Sequence, residues 1–257
     1  LVMGILNLTP DSFSDGGRFM EREVAIDRAH QMVDEGADII DVGAESTRPG
    51  SEPISAAEEL KRLMPVLEVL VEQIPCPLSV DTYKSEVAEE AAKCGAHILN
   101  DIWGLKYDPE LARVAGEYGL PLILMHNQRG TAYGDLMGEV IASLSNSIAT
   151  AVERGVPREN IIVDPGIGFG KDTNQNLEVL RRLGELRVLG CPILLGTSRK
   201  SVIGNVLGLP VNERMEGTAA AVALGISAGA NIVRVHDVKE MVRVARMTDA
   251  ILRAVAG

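Results

Sequence analysis

The feature that most constrains this chain is an alternation repeated eight times: a short apolar run, then a longer stretch with helical periodicity. The apolar runs are Val2–Leu6, Asp38–Val42, Leu78–Asp81, His97–Asp101, Leu122–His126, Ile161–Asp164, Ile193–Gly196 and Ile232–Val235. They mostly do not alternate with polar residues, as expected of strands buried on both faces of a parallel sheet. The helical stretches cover 20–35, 55–73, 84–94, 109–118, 135–154, 174–188, 212–228 and 238–255. Ser55 with Glu58 predicts a capping box, Asp108 before Pro109 a capped start, and Asn174 the cap of the sixth helix. Gly36, Gly95, Gly119, Gly155 and Gly229 predict helix ends with a strand close behind. Eight such units in 257 residues predict an α/β fold, a (β/α)8 TIM barrel forming a single domain over residues 1–257. An open doubly wound sheet is the alternative, but no dinucleotide fingerprint follows the first strand.

Composition removes several function classes. Aromatic residues make up 3% of the chain and hydrophobic residues 46%, which suits an aliphatic barrel core. A formal net charge of -11 argues against nucleic acid as a partner. Cys76, Cys94 and Cys191 are an odd, widely spaced set that matches neither a disulfide scaffold nor a zinc pattern, so reduced thiols and a cytoplasmic setting are expected. No apolar run is long enough to span a membrane and no signal peptide is visible, so no membrane partner is expected.

In a barrel of this kind the C-terminal ends of all strands share one face. Polar residues crowd there: Asn7, then Asp41 and Glu45 through Gly50, Asp81, Asn100, Asp101, His126, Asp164, Thr197 through Ser201, Arg234, His236 and Asp237. So many buried polar groups must be satisfied by each other, by water or by a ligand. Asp81, Asn100 and Asp164 offer acceptors to ring N–H and amino groups, and the amide also offers a donor. Lys200 can donate to a ring carbonyl or nitrogen, and Arg234 can stack on a planar ring. Together they describe a site for a heterocycle with an amidine-like edge. Each also has a plain structural reading: Asp164 as a turn before Pro165-Gly166, Asn100 as a loop tie, Arg234 as an ion-pair partner of Asp237 or another acid. Arg48, Arg234 and His236, with Asn7 and Ser201, form a second cluster suited to an anion such as phosphate. Gly166, Gly168 and Gly170 read as a loop bending closely round a ligand or another loop. The four histidines show no paired metal spacing, and His30 and His97 read as structural. A Mg²⁺ ion can sit between Asn7 and phosphate oxygens.

The stretches Asn7 to Gly17, Gly43 to Gly50, Ser79-Val80-Asp81-Thr82, Asn100-Asp101, Asp164 to Lys171, Ser198-Arg199-Lys200-Ser201 and Arg234-Val235-His236-Asp237 occur in order at successive strand ends. In this the chain resembles the dihydropteroate synthases, folate-pathway enzymes inhibited by sulfonamides. The resemblance covers essentially the whole chain. It implies condensation of (7,8-dihydropterin-6-yl)methyl diphosphate with 4-aminobenzoate to give 7,8-dihydropteroate and diphosphate. It further implies that Asp81, Asn100, Asp164 and Lys200 hold the pterin, with Arg234 over its face and Met125 lining it. Asn7, Arg234 and His236 would hold the diphosphate, with Mg²⁺ at Asn7. Phe13, Thr47, Arg48, Pro49, Phe169 and Ser201 match the aminobenzoate side, and Asp15 matches an acid of the first loop. The residues expected to carry the reaction are Asn7, Asp15, Arg48, Lys200, Arg234 and His236. Sulfonamide inhibitors and a homodimer, with helices 135–154, 174–188 and 212–228 as candidates for the contact, are implied in the same way. Rival readings are a corrinoid-dependent methyltransferase sharing the pterin site, a pterin-binding protein without activity, and a general sugar-phosphate barrel enzyme. The first does not call for Ser46-Thr47-Arg48-Pro49-Gly50 together with Ser198-Arg199-Lys200-Ser201, the second would be favoured by loss of Arg48, Lys200 or His236, all of which are present, and the third predicts binding of a phosphosugar and no affinity for pterin.

Overall fold

The computed structural model describes residues 1–8, 18–46 and 51–254, with the backbone alone for residues 18–21. Its elements run β1 (Val2–Asn7), α1 (Arg18–Asp34), β2 (Ile39–Gly43), α2 (Ala56–Gln73), β3 (Leu78–Asp81), α3 (Ser85–Cys94), β4 (Ile98–Asp101) and α4 (Glu110–Tyr118). They continue β5 (Leu122–Met125), α5 (Leu136–Glu153), β6 (Ile161–Asp164), α6 (Thr173–Arg181), β7 (Leu194–Leu195), α7 (Ser201–Leu207), α8 (Met215–Ala228), β8 (Ile232–Val235) and α9 (Val238–Arg253). The eight strands pair in parallel in the order β6-β5-β4-β3-β2-β1-β8-β7. A parallel bridge between Val163 and Ile193 joins the two ends of that order. The sheet therefore closes into the predicted (β/α)8 barrel.

Strand alternation sorts the barrel into an inside and an outside. Met3, Ile39, Ile98, Ile123, Leu194 and Ile232 form one buried cluster, with Ile162 packed against it. These are the inward side chains, one from each of seven strands, and they plug the barrel. Two residues further along the same strands come Asp41, Asn100, Met125, Asp164, Gly196 and Arg234, so the apolar plug is the floor beneath a polar layer. The intervening residues, such as Ile40, Leu99, Leu124 and Val233, pack with helix residues such as Ala29, Leu67 and Val87 in the larger outer core.

Most boundaries fall within one or two residues of the sequence prediction. Gly36, Gly95, Gly119, Gly155 and Gly229 all have positive φ, from 66° to 113°, as helix-terminating residues. Ser55 Oγ accepts the Glu58 N–H at 3.2 Å. Pro109, not Asp108, occupies the cap position of α4, but Asp108 still accepts the Glu110 N–H at 3.1 Å and also the Ser85 N–H at 2.8 Å. The sixth helix is corrected in two respects. Its cap is Asp172, in a full capping box with Gln175, and Asn174 lies inside the helix. It ends at Arg181 and gives way to a 3₁₀ stretch over Leu183–Leu189. The seventh helical stretch begins at Met215, preceded by a separate α7 that Gly208 terminates with φ 69° before Pro210. His30 and His97 serve packing: His30 Nε2 meets Gln73 Oε1 at 3.1 Å, and His97 Nδ1 accepts the Leu78 N–H at 3.2 Å.

Candidate active site

The polar layer is organised around Arg234. On β8 its side chain points inward, where Nε donates to Asp41 Oδ2 at 2.6 Å and Nη2 to Asp81 Oδ2 at 2.8 Å. Asn100 Nδ2 donates to the same Asp41 oxygen at 3.2 Å. Two carboxylates thus fix the guanidinium plane, and burial with paired charges makes the arrangement rigid. Asp41 Oδ1 and Asp81 Oδ1 are buried and have no hydrogen-bond partner among the described residues. Buried acceptors of that kind are the signature of a place where a donor-rich ligand binds. Asp237, the partner considered for Arg234 from sequence, pairs instead with Arg199 at 2.5 Å.

Asp164 Oδ1 accepts the Gly166 N–H at 2.7 Å, which orients the carboxylate. Gly196 on the neighbouring wall leaves room beside it: a Cβ there would stand 4.0 Å from Asp164 Oδ2 and 3.9 Å from Arg234 Cβ. Lys200 comes from the loop entering α7, with Nζ 4.2 Å from the centroid of the Phe169 ring. Gly168, with φ 83°, lies against it, and a Cβ on Gly168 would come within 3.1 Å of Lys200 Cδ. Met125, Tyr83 and Ile102 are buried together, with Trp103 and Phe169 packed against them, giving an apolar wall.

Burial pushes the Asp164 carboxyl up to about 6, against the hydrogen bond from Gly166 and the pull of Lys200 and Arg234. It likewise raises Asp81, opposed by Arg234 and reinforced by Asp41. Lys200 is pushed down to about 8, by burial first and then by Arg234, with Asp164 and Asp81 acting the other way. His236, beyond β8, is pushed down to about 3 by burial and by the neighbouring Arg234 and Arg199 cations, so its ring is neutral. The His236 N–H donates to Ser198 Oγ at 3.1 Å, and the ring Nδ1 lies 3.0 Å from the same oxygen. With the hydroxyl donating to Nδ1, the imidazole proton sits on Nε2, available to an anion.

The structure therefore brings Asp81, Asn100, Asp164, Lys200, Arg234, Met125 and Phe169 to one place above the plug, with His236 at its edge. Asn7 ends β1, in register with Gly43 of β2, and Ser201 opens α7 as an exposed residue. Phe13, Asp15, Thr47, Arg48 and Pro49 lie outside the described residues. Asp101 belongs to the frame: it accepts the Trp103 and Leu105 N–H groups at 2.8 and 2.5 Å. Sequence reasoning gave no role to Asp41, although Ile39, Asp41 and Gly43 share one strand face and an acid inside an apolar strand is itself a signal. It also passed over a buried ion cluster at the root of the second loop. There Lys84 Nζ pairs with Glu45 and, at 2.6 Å, with Glu59, while the Tyr83 hydroxyl donates to Glu45 at 2.7 Å.

A family profile described as "Pterin binding enzyme" matches residues 3–236, from β1 through His236. The dihydropteroate synthase of Bacillus subtilis is 54% identical over 252 residues, covering 98% of this chain and 88% of the relative. The chain belongs to the dihydropteroate synthases of the pterin-binding family. Among solved structures, the dihydropteroate synthase from Clostridium difficile, determined in the presence of pteroic acid, superposes with a TM-score of 0.96 at 55% identity, covering 98% of this chain and 97% of that one. The Yersinia pestis dihydropteroate synthase, solved as a sulfonamide drug complex, superposes with a TM-score of 0.92 at 42% identity, covering 98% and 94%. As a dihydropteroate synthase the protein is a transferase: it condenses (7,8-dihydropterin-6-yl)methyl diphosphate with 4-aminobenzoate, releasing diphosphate and 7,8-dihydropteroate.

Proposed function

We propose that the layer built on Asp41, Asp81, Asn100, Asp164, Lys200 and Arg234 is the pterin pocket of this synthase. The observation that carries the reading is Arg234 clasped between Asp41 and Asp81, with an acceptor oxygen left on each acid that has no partner among the described residues, above an apolar floor. A pterin presents an aminopyrimidinone edge rich in N–H donors, which suits Asp81, Asn100 and Asp164, while Lys200 donates to its acceptors. Arg234 lies flat over the ring, and Met125 and Phe169 supply apolar contact. Arg234 and the Nε2–H of His236 then face the diphosphate, with Asn7. By resemblance, Phe13, Thr47, Arg48, Pro49, Phe169 and Ser201 form the 4-aminobenzoate side, and Asp15 belongs to the first loop. Sulfonamides, as analogues of 4-aminobenzoate, would compete there.

Mg²⁺ fits the donor chemistry at Asn7. Among the described residues no group of His, Cys, Asp or Glu forms a metal cage. A single hard amide oxygen at the barrel mouth suits an ion that keeps its waters and shares phosphate oxygens. Such an ion would supply charge neutralisation of the departing diphosphate. The chain's own contribution is Arg234 and neutral His236 as donors to that leaving group. The amine of 4-aminobenzoate is neutral near pH 7 and needs no strong base, and no strong base stands in the described site. We therefore propose dissociative substitution, in which C–O cleavage leads and amine attack follows on a CH₂ carbon whose charge spreads into the dihydropterin. A large normal secondary deuterium isotope effect at that CH₂ is expected; a small inverse effect overturns it.

The test of the whole reading is diphosphate release from dihydropterin methyl diphosphate with Mg²⁺, with and without 4-aminobenzoate. Release that requires the amine, with dihydropteroate formed in equal amount, is the expected result. Tight pterin binding without release would overturn the roles proposed for Arg234, His236 and Mg²⁺ at the diphosphate. We also propose a homodimer in which α8 takes part: Glu216 is its sole charged residue, yet Leu224 is 72% exposed. Cys76, Cys94 and Cys191 are free thiols, which supports a cytoplasmic setting, and among the described residues no helix is long and apolar enough to cross a membrane.

A further inference from the structure

We propose that Lys171 is a positioning residue for the pterin pocket: its buried amine ties the loop after β6 into the shape that sets Phe169 and Gly168 against Lys200. The proposal rests on the pocket assignment above. Lys171 is 8% exposed. Its Nζ lies 2.9 Å from His126 Nδ1, 3.0 Å from the carbonyl oxygen of Gly166 and 3.0 Å from that of Phe169. Burial pushes Lys171 down to about 7; in the protonated form its three N–H groups meet three acceptors, none of them a carboxylate. The amine reaches back over its own loop and turns two of that loop's carbonyls inward. It also ties the loop to His126, the residue that follows Met125 of the apolar wall.

The geometry around this tie shows what it holds. The loops after β5 and β6 are pressed backbone to backbone. The His126 N–H donates to the Asp164 carbonyl at 2.8 Å. A Cβ on Gly166 would stand 1.9 Å from the His126 carbonyl oxygen, and one on Gly170 would stand 2.6 Å from that of Gln128. The flanks have other anchors: Asn176 Oδ1 accepts the Gly168 N–H at 2.7 Å, and the Tyr133 hydroxyl donates to the Gly170 carbonyl at 2.8 Å. The interior has Lys171. Between these anchors sit the two residues that contact Lys200. Burial pushes His126 down to about 3, so its ring is neutral and Nδ1 is free to accept. A side chain without donors at position 171 would remove the donor to the Phe169 carbonyl and leave the Gly166 carbonyl with the Phe169 N–H alone, at 3.1 Å, so the loop would turn the Phe169 carbonyl outward and carry Phe169 with it.

The test is a double-mutant cycle on pterin affinity, read by isothermal titration with dihydropterin methyl diphosphate. Lys200→Ala alone checks the pocket: unchanged affinity there would overturn the pocket reading, not the tie. With that control passed, Lys171→Met is expected to weaken binding by about tenfold or more, and to weaken it further by no more than about twofold in the Lys200→Ala background. n-Propylammonium is expected to restore affinity to Lys171→Ala, since it replaces the missing chain and amine. Should Lys171→Met not fold, Lys171→Gln takes its place in the same cycle, since its amide is one bond shorter than the amine and offers two N–H groups to three acceptors, so that it too is expected to weaken binding. Wild-type affinity in a folded position-171 variant would overturn the proposal. Equal losses in both backgrounds would also overturn it, since a loop damaged in general does not act through Lys200.

Discussion

The chemistry of the site is set residue by residue through burial. Asp164 must be ionised to accept from a pterin N–H, and Lys200 must be protonated to donate. Their shifted pKa values of about 6 and about 8 therefore bracket a window. Pterin affinity is expected to peak between about pH 6 and about pH 8 and to fall on both sides. Titration calorimetry across that range checks it, and an affinity flat with pH would contradict the assignment. The same shift bears on stability. Because the folded pKa of Asp164 is raised, its contribution is fully present below the unfolded value and is lost as pH rises through about 6. Asp164→Asn keeps an acceptor for the Gly166 N–H but removes the charge. It is expected to melt higher than the native protein at pH 8, by an amount on the order of 1–2 kcal/mol, with the gap closing below about pH 6. Its pterin binding is expected to be weak throughout. Loss of the Asp41 side chain is expected to destabilise instead. Asp41→Ala removes one of two acids from Arg234 and the acceptor of Asn100, and is expected to cost on the order of 2–3 kcal/mol in urea unfolding. The residue types of the pocket were legible in the sequence, because acids, amides and cations at barrel strand ends have few other uses. Their pairing was not. Arg234 meets acids 193 and 153 positions away, and only closure of the barrel in this register brings β8, β2 and β3 together around it.

At the scale of single elements, the strands were easy to read because burial on both faces leaves almost unbroken Val, Ile and Leu. Helix starts were harder, because several residues near each start can cap. Asn174 is an eligible type, but Asp172 stands three residues before Gln175 and closes both halves of the box. Asp172 Oδ1 accepts the Gln175 N–H at 2.8 Å, and Gln175 Oε1 accepts the Asp172 N–H at 2.8 Å. Asp172→Ala is expected to cost about 1 kcal/mol by urea unfolding, and Asn174→Ala a few tenths at most. Equal effects would return the cap to Asn174. The glycine run Gly166, Gly168 and Gly170 was legible as a loop bending closely on another, and all three have positive φ. Which loop it bends on could not be read, since its neighbour, the loop after β5, is set by strand order. The separate α7 ahead of the seventh helical stretch has a local cause for its end in Gly208 and Pro210: a left-handed glycine ends α7, and the proline cannot continue it.

At the scale of the whole molecule, the barrel accounts for the inward and outward faces of its strands and for the inner faces of its helices, but not for the outer face of α8. A helix that is apolar nearly all round belongs in an interior. In α8, Val222 and Gly225 are buried against the barrel, whereas Leu224 and Met215 are exposed at 72% and 41%. Exposed leucine alone is ordinary on a protein surface. The argument lies in the lack of charge along the helix: a solvent-facing helix in a chain of net charge -11 would be expected to carry several acids and bases, and this one carries Glu216 alone. On the proposed homodimer, a second copy of the chain would provide the missing cover, and a symmetric pair would lay the same face against itself. Leu224→Glu places two like charges near such a contact, one from each protomer. Sedimentation velocity at micromolar concentration is expected to give a dimer for the native protein and a monomer for Leu224→Glu. The thermal midpoint of the native protein is expected to rise with protein concentration, and that of the variant to stay level, because association stabilises by mass action. A native protein that sediments as a monomer would mean that α8 faces water, and that its apolar outer surface has some other cause.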